Sequence, residues 1–165
     1  MVKERRNKEG NGYVLDAIDR SILGLLQDNA KMPQAVVAKK VGLTAPSIHD
    51  RIRKLEGEGY IRGYVAVLDP QKMGQEITAF VEVFVEHPKF EENFIKAVST
   101  LDEVLECHHI TGEFSILLKI RVPDMAAFRR LLIEHLNTLR GVRQTRTVMV
   151  LATAKEQRRL RVDAT

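Results

Sequence analysis

Residues 41–61 read VGLTAPSIHDRIRKLEGEGYI, and the order of residue types in this segment is the most informative feature of the sequence. Thr44 can cap a helix, because its side-chain oxygen can accept a hydrogen bond from a backbone N–H of the first turn. The apolar residues that follow recur at i, i+4 and i+7, on one face of that helix: Ile48, Ile52 and Leu55. Gly57 and Gly59 end it, since glycine adopts positive φ at little cost. The stretch therefore predicts a tight turn followed by an amphipathic helix.

An isolated helix of this kind is usually a surface helix with a solvated charged face, but here two helical patterns precede it. Asp16 and Asp19 open the first, where the helix dipole favours acidic groups. Its apolar stripe is Ile18, Ile22, Leu25 and Leu26. Pro33 suits the first position of the second helix, because no N–H is needed there. Three helices and an extended ribbon over residues 60–67 predict a winged helix-turn-helix over residues 15–63.

A winged helix-turn-helix places its third helix in the major groove of double-stranded DNA. We expect the first turns of that helix to face base edges and its basic residues to contact phosphates. The candidate DNA-binding residues are Thr44, Ala45, Pro46, Ser47, His49, Asp50, Arg51, Arg53 and Lys54. The competing interpretation for Arg51 is an internal ion pair with Glu56 or Glu58.

The charge distribution fits phosphate contact confined to the helical module. Residues 1–63 carry 12 Lys and Arg against 8 Asp and Glu, whereas residues 64–121 carry 5 against 10. Residues 122–165 carry 9 against 4, and the net charge is +4. Residues 1–14 form a basic tail with Lys3, Arg5, Arg6 and Lys8. This tail either adds nonspecific attraction to phosphates or is simply solvated.

Composition indicates an ordinary globular protein of one or two small domains, with 44% hydrophobic and 29% charged residues among 165. No apolar run is long enough to span a bilayer, and no signal peptide is expected at the charged N-terminus. The single cysteine, Cys107, cannot form an internal disulfide, which is consistent with a reducing cytoplasm. We therefore expect a cytoplasmic protein without a membrane partner.

The pattern changes after a linker over residues 64–76. A strand with alternating apolar residues begins at Ile77, and the predicted order over residues 77–153 is β-α-β-β-α-β. The helix stripes are Phe90, Phe94, Val98 and Leu101, then Phe128, Leu132, Leu136 and Leu139. This order predicts a ferredoxin-like sheet with helices on one face, giving an α+β protein with two domains. We expect a short polar helix over 154–160, within a tail over 154–165.

One face of such a sheet has no helix to cover it. Both sets of alternate positions in the strand from Ile77 contain large apolar residues, including Phe80 and Phe84. We therefore expect this face to be buried against a second copy of the chain in a two-fold dimer.

The whole chain resembles the Lrp/AsnC family, also called feast/famine regulators. The matching stretches are LDAIDRSIL (15–23), VGLT (41–44), RIRKLE (51–56), EGYI (58–61), LDP (68–70), TGE (111–113), LLK (117–119) and GV (141–142). The resemblance implies a bacterial or archaeal transcription regulator with an N-terminal winged helix-turn-helix and a C-terminal ligand-sensing domain. It also implies a homodimer that assembles into tetramers or octamers, and an amino acid or related metabolite bound between subunits.

The effector loop departs from the family pattern, which is Gly, then an acidic residue or Asn, any residue, Asp and Tyr. Here it reads GEFSI over residues 112–116, so a second carboxylate and a ring are missing. A zwitterion needs an anion for its ammonium group, a role for Glu113, and donors for its carboxylate. The candidate effector residues are His109, Thr111, Gly112, Glu113, Phe114 and Ser115. The alternatives are another metabolite or an architectural, nucleoid-like protein that wraps DNA without a ligand.

Metal and catalytic sites are not expected. Cys107, His108 and His109 are consecutive, but side chains alternate along a strand, so Cys107 and His109 share one face and His108 takes the other. Structural histidines are the better interpretation of this trio, and we expect no metal and no cofactor. No nucleophile–base pair, phosphate-binding glycine loop or paired carboxylates stand in a supporting context, so we expect no enzyme.

Overall fold

A computed structural model describes residues 13–162, which form two compact units. The first unit comprises residues up to Ala66 together with the segment from Gln157 onward, and the second unit spans Val67–Glu156. The chain therefore passes from the first unit to the second after Ala66 and returns after Glu156. The basic residues expected in the N-terminal tail lie outside the described residues.

Three helices build the first unit: α1 (Ala17–Asp28), α2 (Gln34–Val41) and α3 (Ala45–Gly57). Asp16 caps α1 and forms a capping box with Asp19. Gly42, with φ of 74°, makes the turn after α2, and Thr44 accepts a hydrogen bond from the backbone N–H of Ser47. The three-helix prediction is confirmed, although Pro33 precedes α2 by one residue instead of opening it.

The first unit has its own apolar core, with one ionisable exception. The buried apolar residues are Ile22, Leu23, Val37, Ala38, Ile48, Ile52 and Leu55. The prediction for α3 is confirmed, but the stripe of α1 is shifted, because Asp19 is fully buried and Ile18 is only partly buried. The expected ribbon is also wrong as a strand: residues 62–69 have no regular structure, and Val67 is 90% exposed. A ribbon needs a hydrogen-bonded neighbour, and the described part of the chain pairs none with it.

The second unit is a four-stranded antiparallel sheet with helices, and it confirms the predicted β-α-β-β-α-β order. Its elements are β1 (Ile77–Val85), α4 (Glu91–Val98), β2 (Val104–His109), β3 (Ile116–Val122), α5 (Met125–Arg130) and β4 (Val142–Met149). The strand order is β2-β3-β1-β4, as in a ferredoxin-like sheet. A 3₁₀ turn, Pro88–Phe90, leads into α4. The chain is thus an α+β protein.

Alternate residues of β1 and β3 pack under the helices. This core contains Ala79, Val81, Val83, Phe94, Val98, Ile116, Leu118, Ile120, Phe128, Leu131 and Leu136. The stripe after α5 differs from the predicted one, since Leu131 is buried and Leu132 is only partly buried. A π-helical stretch, Leu131–Leu136, continues α5 and explains the shift. Because its hydrogen bonds span five residues, Leu131 and Leu136 lie on one face.

The other face of the sheet carries apolar side chains that are only partly buried. Phe80 and Phe84 on β1 and Leu117 on β3 belong to it, and Val148 on β4 is 52% exposed. The short helix expected over residues 154–160 is wrong, because the described residues after β4 form no helix.

Candidate functional site

The exposed face of α3 lies opposite its buried stripe. Pro46, His49, Asp50 and Arg53 stand at i, i+3, i+4 and i+7, and all four are exposed. The Nε2 atom of Gln34 lies 3.4 Å from Nδ1 of His49, so α2 contacts this ring. The structure therefore brings three of the residues predicted to face base edges, Pro46, His49 and Asp50, to one side of α3 together with Arg53. Ala45 and Ser47, also predicted to face base edges, are partly buried.

Arg51 occupies a different position, between two carboxylates at the start of α1. Its Nη1 atom lies 2.7 Å from Oδ2 of Asp16 and 2.8 Å from Oδ1 of Asp19. The pairing raises the pKa of Arg51. The hydrogen bond from the backbone N–H of Asp19 is the main cause that lowers the pKa of Asp16, and the hydrogen bond from Arg51 is the second. Arg51 does form an internal ion pair, but with α1 and not with the expected Glu56 or Glu58, because its side chain points toward α1.

Tyr13 completes this network, and sequence reasoning missed it. Its hydroxyl donates a hydrogen bond to Asp19, which raises the pKa of Tyr13 to about 12. Its carbonyl oxygen accepts a hydrogen bond from the Tyr60 hydroxyl at 2.6 Å, and Lys54 Nζ lies 3.9 Å from its ring centroid. Lys54 is thus already engaged by a cation–π contact. An open concavity of about 380 Å³ lies here, lined by Tyr13, Asp16, Ser47, Asp50, Arg51 and Lys54.

The lowered pKa of Asp16 predicts a pH dependence of stability. Folding lowers this pKa below its usual 3.8, so the unfolded chain binds the proton first as the pH falls. The stabilisation is complete above about pH 5 and is lost as the pH falls through the folded pKa. Asp16→Asn keeps a capping side chain without the charge. Its free energy of unfolding should be lower than wild type at neutral pH and converge with wild type in acid.

Urea unfolding followed by tyrosine fluorescence measures this difference. The chain has three tyrosines and no tryptophan, and Tyr13, Tyr60 and Tyr64 all belong to the first unit. The signal therefore reports on that unit alone. A difference between Asp16→Asn and wild type that stays constant with pH would contradict the prediction.

The predicted effector residues lie around the loop between β2 and β3. The backbone N–H of Ile110 donates to the carbonyl of Ser115 at 3.0 Å and closes this loop. Gly112 has φ of 123°, which favours glycine. Glu113 is exposed, whereas Phe114 is buried. The hydroxyl of Ser115 is buried and has no hydrogen-bond partner among residues 13–162. A buried hydroxyl usually pairs with an ordered water or with a ligand.

Arg146 on β4 also belongs to this site, and sequence reasoning missed it. Its guanidinium carbon lies 4.9 Å from the Phe114 ring centroid. Its hydrogen bond to Glu82 chiefly raises the pKa of Arg146, and the charge of Glu113 adds to this. Arg146 therefore faces a ring that Glu113 precedes and Ser115, with its buried hydroxyl, follows in the chain. Only the register of β1 against β4, which pairs Glu82 with Arg146, brings Arg146 here, so no local pattern could reveal it.

The remaining predicted residues take structural positions. His109 Nδ1 lies 3.8 Å from Oε2 of Glu91 on α4, and His108 pairs with Glu106. Cys107 packs against the core, and burial raises the pKa of its thiol. Between residues 13 and 162, no group of three or more His, Cys, Asp or Glu side chains could hold a metal ion. The helices in that range are all too short or too polar to cross a bilayer.

Two family models match the two units. A winged helix-turn-helix DNA-binding model matches residues 15–62, and a model of the Lrp/AsnC ligand binding domain matches residues 78–160. The chain belongs to the Lrp/AsnC family. As a member of that family it is a DNA-binding transcription regulator. The matched ligand-binding region contains both the loop over residues 111–115 and Arg146.

Relatives of this Lrp/AsnC chain extend over nearly its whole length. The leucine-responsive regulatory protein of Escherichia coli K12 is 42% identical over 156 residues, covering 93% of this chain and 95% of that protein. A Neisseria meningitidis regulator solved with L-methionine has a TM-score of 0.84 and 30% identity, covering 89% of this chain and 96% of its own. A feast or famine regulatory protein of Mycobacterium tuberculosis, also with L-methionine, has a TM-score of 0.82 and 29% identity, covering 89% and 99%.

Proposed function

We propose that this regulator binds double-stranded DNA through α3 and that an amino acid held at the loop over residues 111–115 modulates this binding. The observation that carries the DNA-binding part is the exposed face of α3, with Pro46, His49, Asp50 and Arg53 at helical spacing. Arg53 carries the phosphate contact, while the residues that face base edges are Ala45, Pro46, Ser47, His49 and Asp50. Thr44 caps the helix, and Arg51 and Lys54 hold it in place.

The effector-binding part rests on the charges around the loop. An amino acid presents an ammonium group, which Glu113 binds, and a carboxylate, which Arg146 and the Ser115 hydroxyl bind. The backbone of Gly112 and the Thr111 hydroxyl supply further donors. L-methionine bound to two regulators of the same fold supports an apolar amino acid as the ligand.

A second copy of the chain is the partner that we propose for the open face of the sheet. Phe80, Phe84, Leu117 and Val148 are apolar and partly exposed there, and a two-fold dimer buries such a face on both copies. Dimers then assemble into tetramers or octamers, with the effector between subunits. We assign this regulator to the cytoplasm, where its DNA is, and assign it no enzymatic reaction and no metal.

The replacement of one loop carboxylate tests the effector role. Glu113→Gln should weaken the binding of L-methionine or L-leucine by about tenfold, since the charge-assisted hydrogen bond to the ammonium group is lost. Glu103→Gln, at another exposed position in the same unit, is the matched control and should bind as wild type does. Isothermal titration gives the two affinities, and sedimentation velocity of the same samples gives the oligomeric state.

The architectural alternative has a distinct outcome. An architectural DNA-wrapping protein would bind duplexes, yet its melting temperature would not rise with any of the twenty amino acids. Stabilisation by one or a few of them supports the sensor. Failure to bind any duplex would contradict both.

A further inference from the structure

The segment after Glu156 packs on α1 as part of the first unit. The Gln27 side chain makes two hydrogen bonds with the backbone of Leu160: Nε2 donates to the carbonyl at 3.0 Å, and Oε1 accepts from the N–H at 2.7 Å. Arg159 forms an ion pair with Asp28. The backbone of Leu160 is thus bonded to a side chain of α1 and not to its own segment. This accounts for the absence of the expected helix.

The end of the same segment reaches the core of the first unit. Val162 packs against the apolar cluster that contains Ile22 and Val37. Its Cγ2 atom lies 3.8 Å from the position that a Cβ on Gly24 would take, so Val162 lies beside α1 at Gly24. Hydrogen bonds, an ion pair and an apolar contact thus hold residues 157–162, which we call the strap, on one face of α1.

The residue before the strap is fixed in the second unit. Glu156 forms ion pairs with Lys119 and Arg121, two neighbours on the outer face of β3. The side chain of Lys119 is only 12% exposed. β3 begins at Ile116, directly after the effector loop. The effector loop is therefore continuous along the chain with the strand that holds Glu156.

We propose that the strap carries the effect of the bound amino acid to the DNA-binding unit; this rests on the function proposed above. Only Gln157 and Arg158 separate Glu156 from Arg159, and three residues span at most about 11 Å. The two anchors are therefore joined by a short link. A displacement of β3 on effector binding passes through this link to the strap and changes how firmly the strap docks on α1. Since α1 holds α3 through Asp16, Asp19 and Arg51, the strap acts on the DNA-reading helix.

This coupling requires that the free energy of docking the strap on α1 differ between the ligand-bound and ligand-free protein. The measured quantity is the ratio of the duplex Kd with saturating L-methionine to that without it. We expect this ratio to differ from one by about fivefold or more in the wild type, a size usual for coupled sites. It should approach one in a chain ending at Glu156 and in Gln27→Ala, which loses both hydrogen bonds to Leu160. Each variant should still bind L-methionine.

Two neighbouring arginines give a matched control. Arg159→Ala removes the ion pair with Asp28, whereas Arg158→Ala removes the same charge from an exposed residue of the strap. Arg158→Ala should keep the wild-type ratio, and Arg159→Ala should reduce it. If the shortened chain and Gln27→Ala both keep the wild-type ratio of Kd values, the proposed role of the strap is overturned, while the effector role stands. A ratio of one in the wild type itself would overturn the effector role and the strap with it.

Discussion

Replacement of Arg51 by alanine should lower the free energy of unfolding of the first unit by about 2–3 kcal/mol. Arg51 is the cationic partner of Asp19, whose side chain is fully buried, and it also binds Asp16. Without the guanidinium, Asp19 keeps the Tyr13 hydroxyl and the backbone N–H of Asp16 as hydrogen-bond donors, and a buried carboxylate without a cation is costly. The expected loss is below that of a fully buried pair, because 27% of the Arg51 side chain is exposed.

Arg53→Ala is the matched control on the same helix. Arg53 is exposed, so its loss should change the free energy of unfolding by no more than about 0.5 kcal/mol. Its loss should weaken duplex binding and reduce the slope of log affinity against log salt by about 1. Urea unfolding followed by tyrosine fluorescence and duplex titrations at several salt concentrations separate the two roles. The reverse pattern, with Arg51→Ala stable and its salt slope reduced, would make Arg51 the phosphate contact instead.

Gly141→Ala should destabilise the second unit by about 3 kcal/mol, from backbone strain and a steric clash together. Gly141 precedes β4 with φ of 91°, a conformation that side chains disfavour. An added Cβ would lie 2.6 Å from Cβ of Phe90, in the turn before α4. The Gly141 carbonyl accepts a hydrogen bond from the backbone of Glu86 at 2.8 Å, so the glycine cannot move away freely.

Gly74→Ala separates strain from the clash. Gly74 has φ of 69°, but no heavy atom lies within 4 Å of its would-be Cβ. Strain alone should cost about 1 kcal/mol there. Far-UV circular dichroism in urea measures both variants, and tyrosine fluorescence should report an unchanged first unit. Equal losses at the two glycines would show that Phe90 yields to the added methyl group.

The elements were predictable from the sequence because each has a period of its own. Ile48, Ile52 and Leu55 repeat at helical spacing, and β1 alternates, so both patterns follow from local geometry. The π-helical stretch after α5 was not predictable, since its extra residue per turn depends on how Leu131 and Leu136 pack on the sheet. The ribbon after α3 failed for a similar reason: a strand depends on a neighbour that the pattern does not name.

Only those parts of the candidate site that lie on one helix or strand were predictable from the sequence. The exposed side of α3 follows from its buried side. For Arg51, by contrast, the helix pattern predicts a phosphate contact, whereas the carboxylates that it pairs with lie more than 30 residues away in sequence. Arg146 depends on strand register, and Tyr13 on how the chain enters α1. Pairings between distant segments are set by the whole fold, which no short window of sequence contains.

The split of the first unit along the chain has a consequence for synthesis on the ribosome. Its helices leave the ribosome early, but Leu160 and Val162, which bind α1, are made 94 or more residues after Ala66. At about 5–20 residues per second, this delay is roughly 5–20 s. During that interval the helices of the first unit lack their last packing partners. The entire sheet is translated before those partners are. The packing of the DNA-binding unit is therefore completed only after Val162 has been translated.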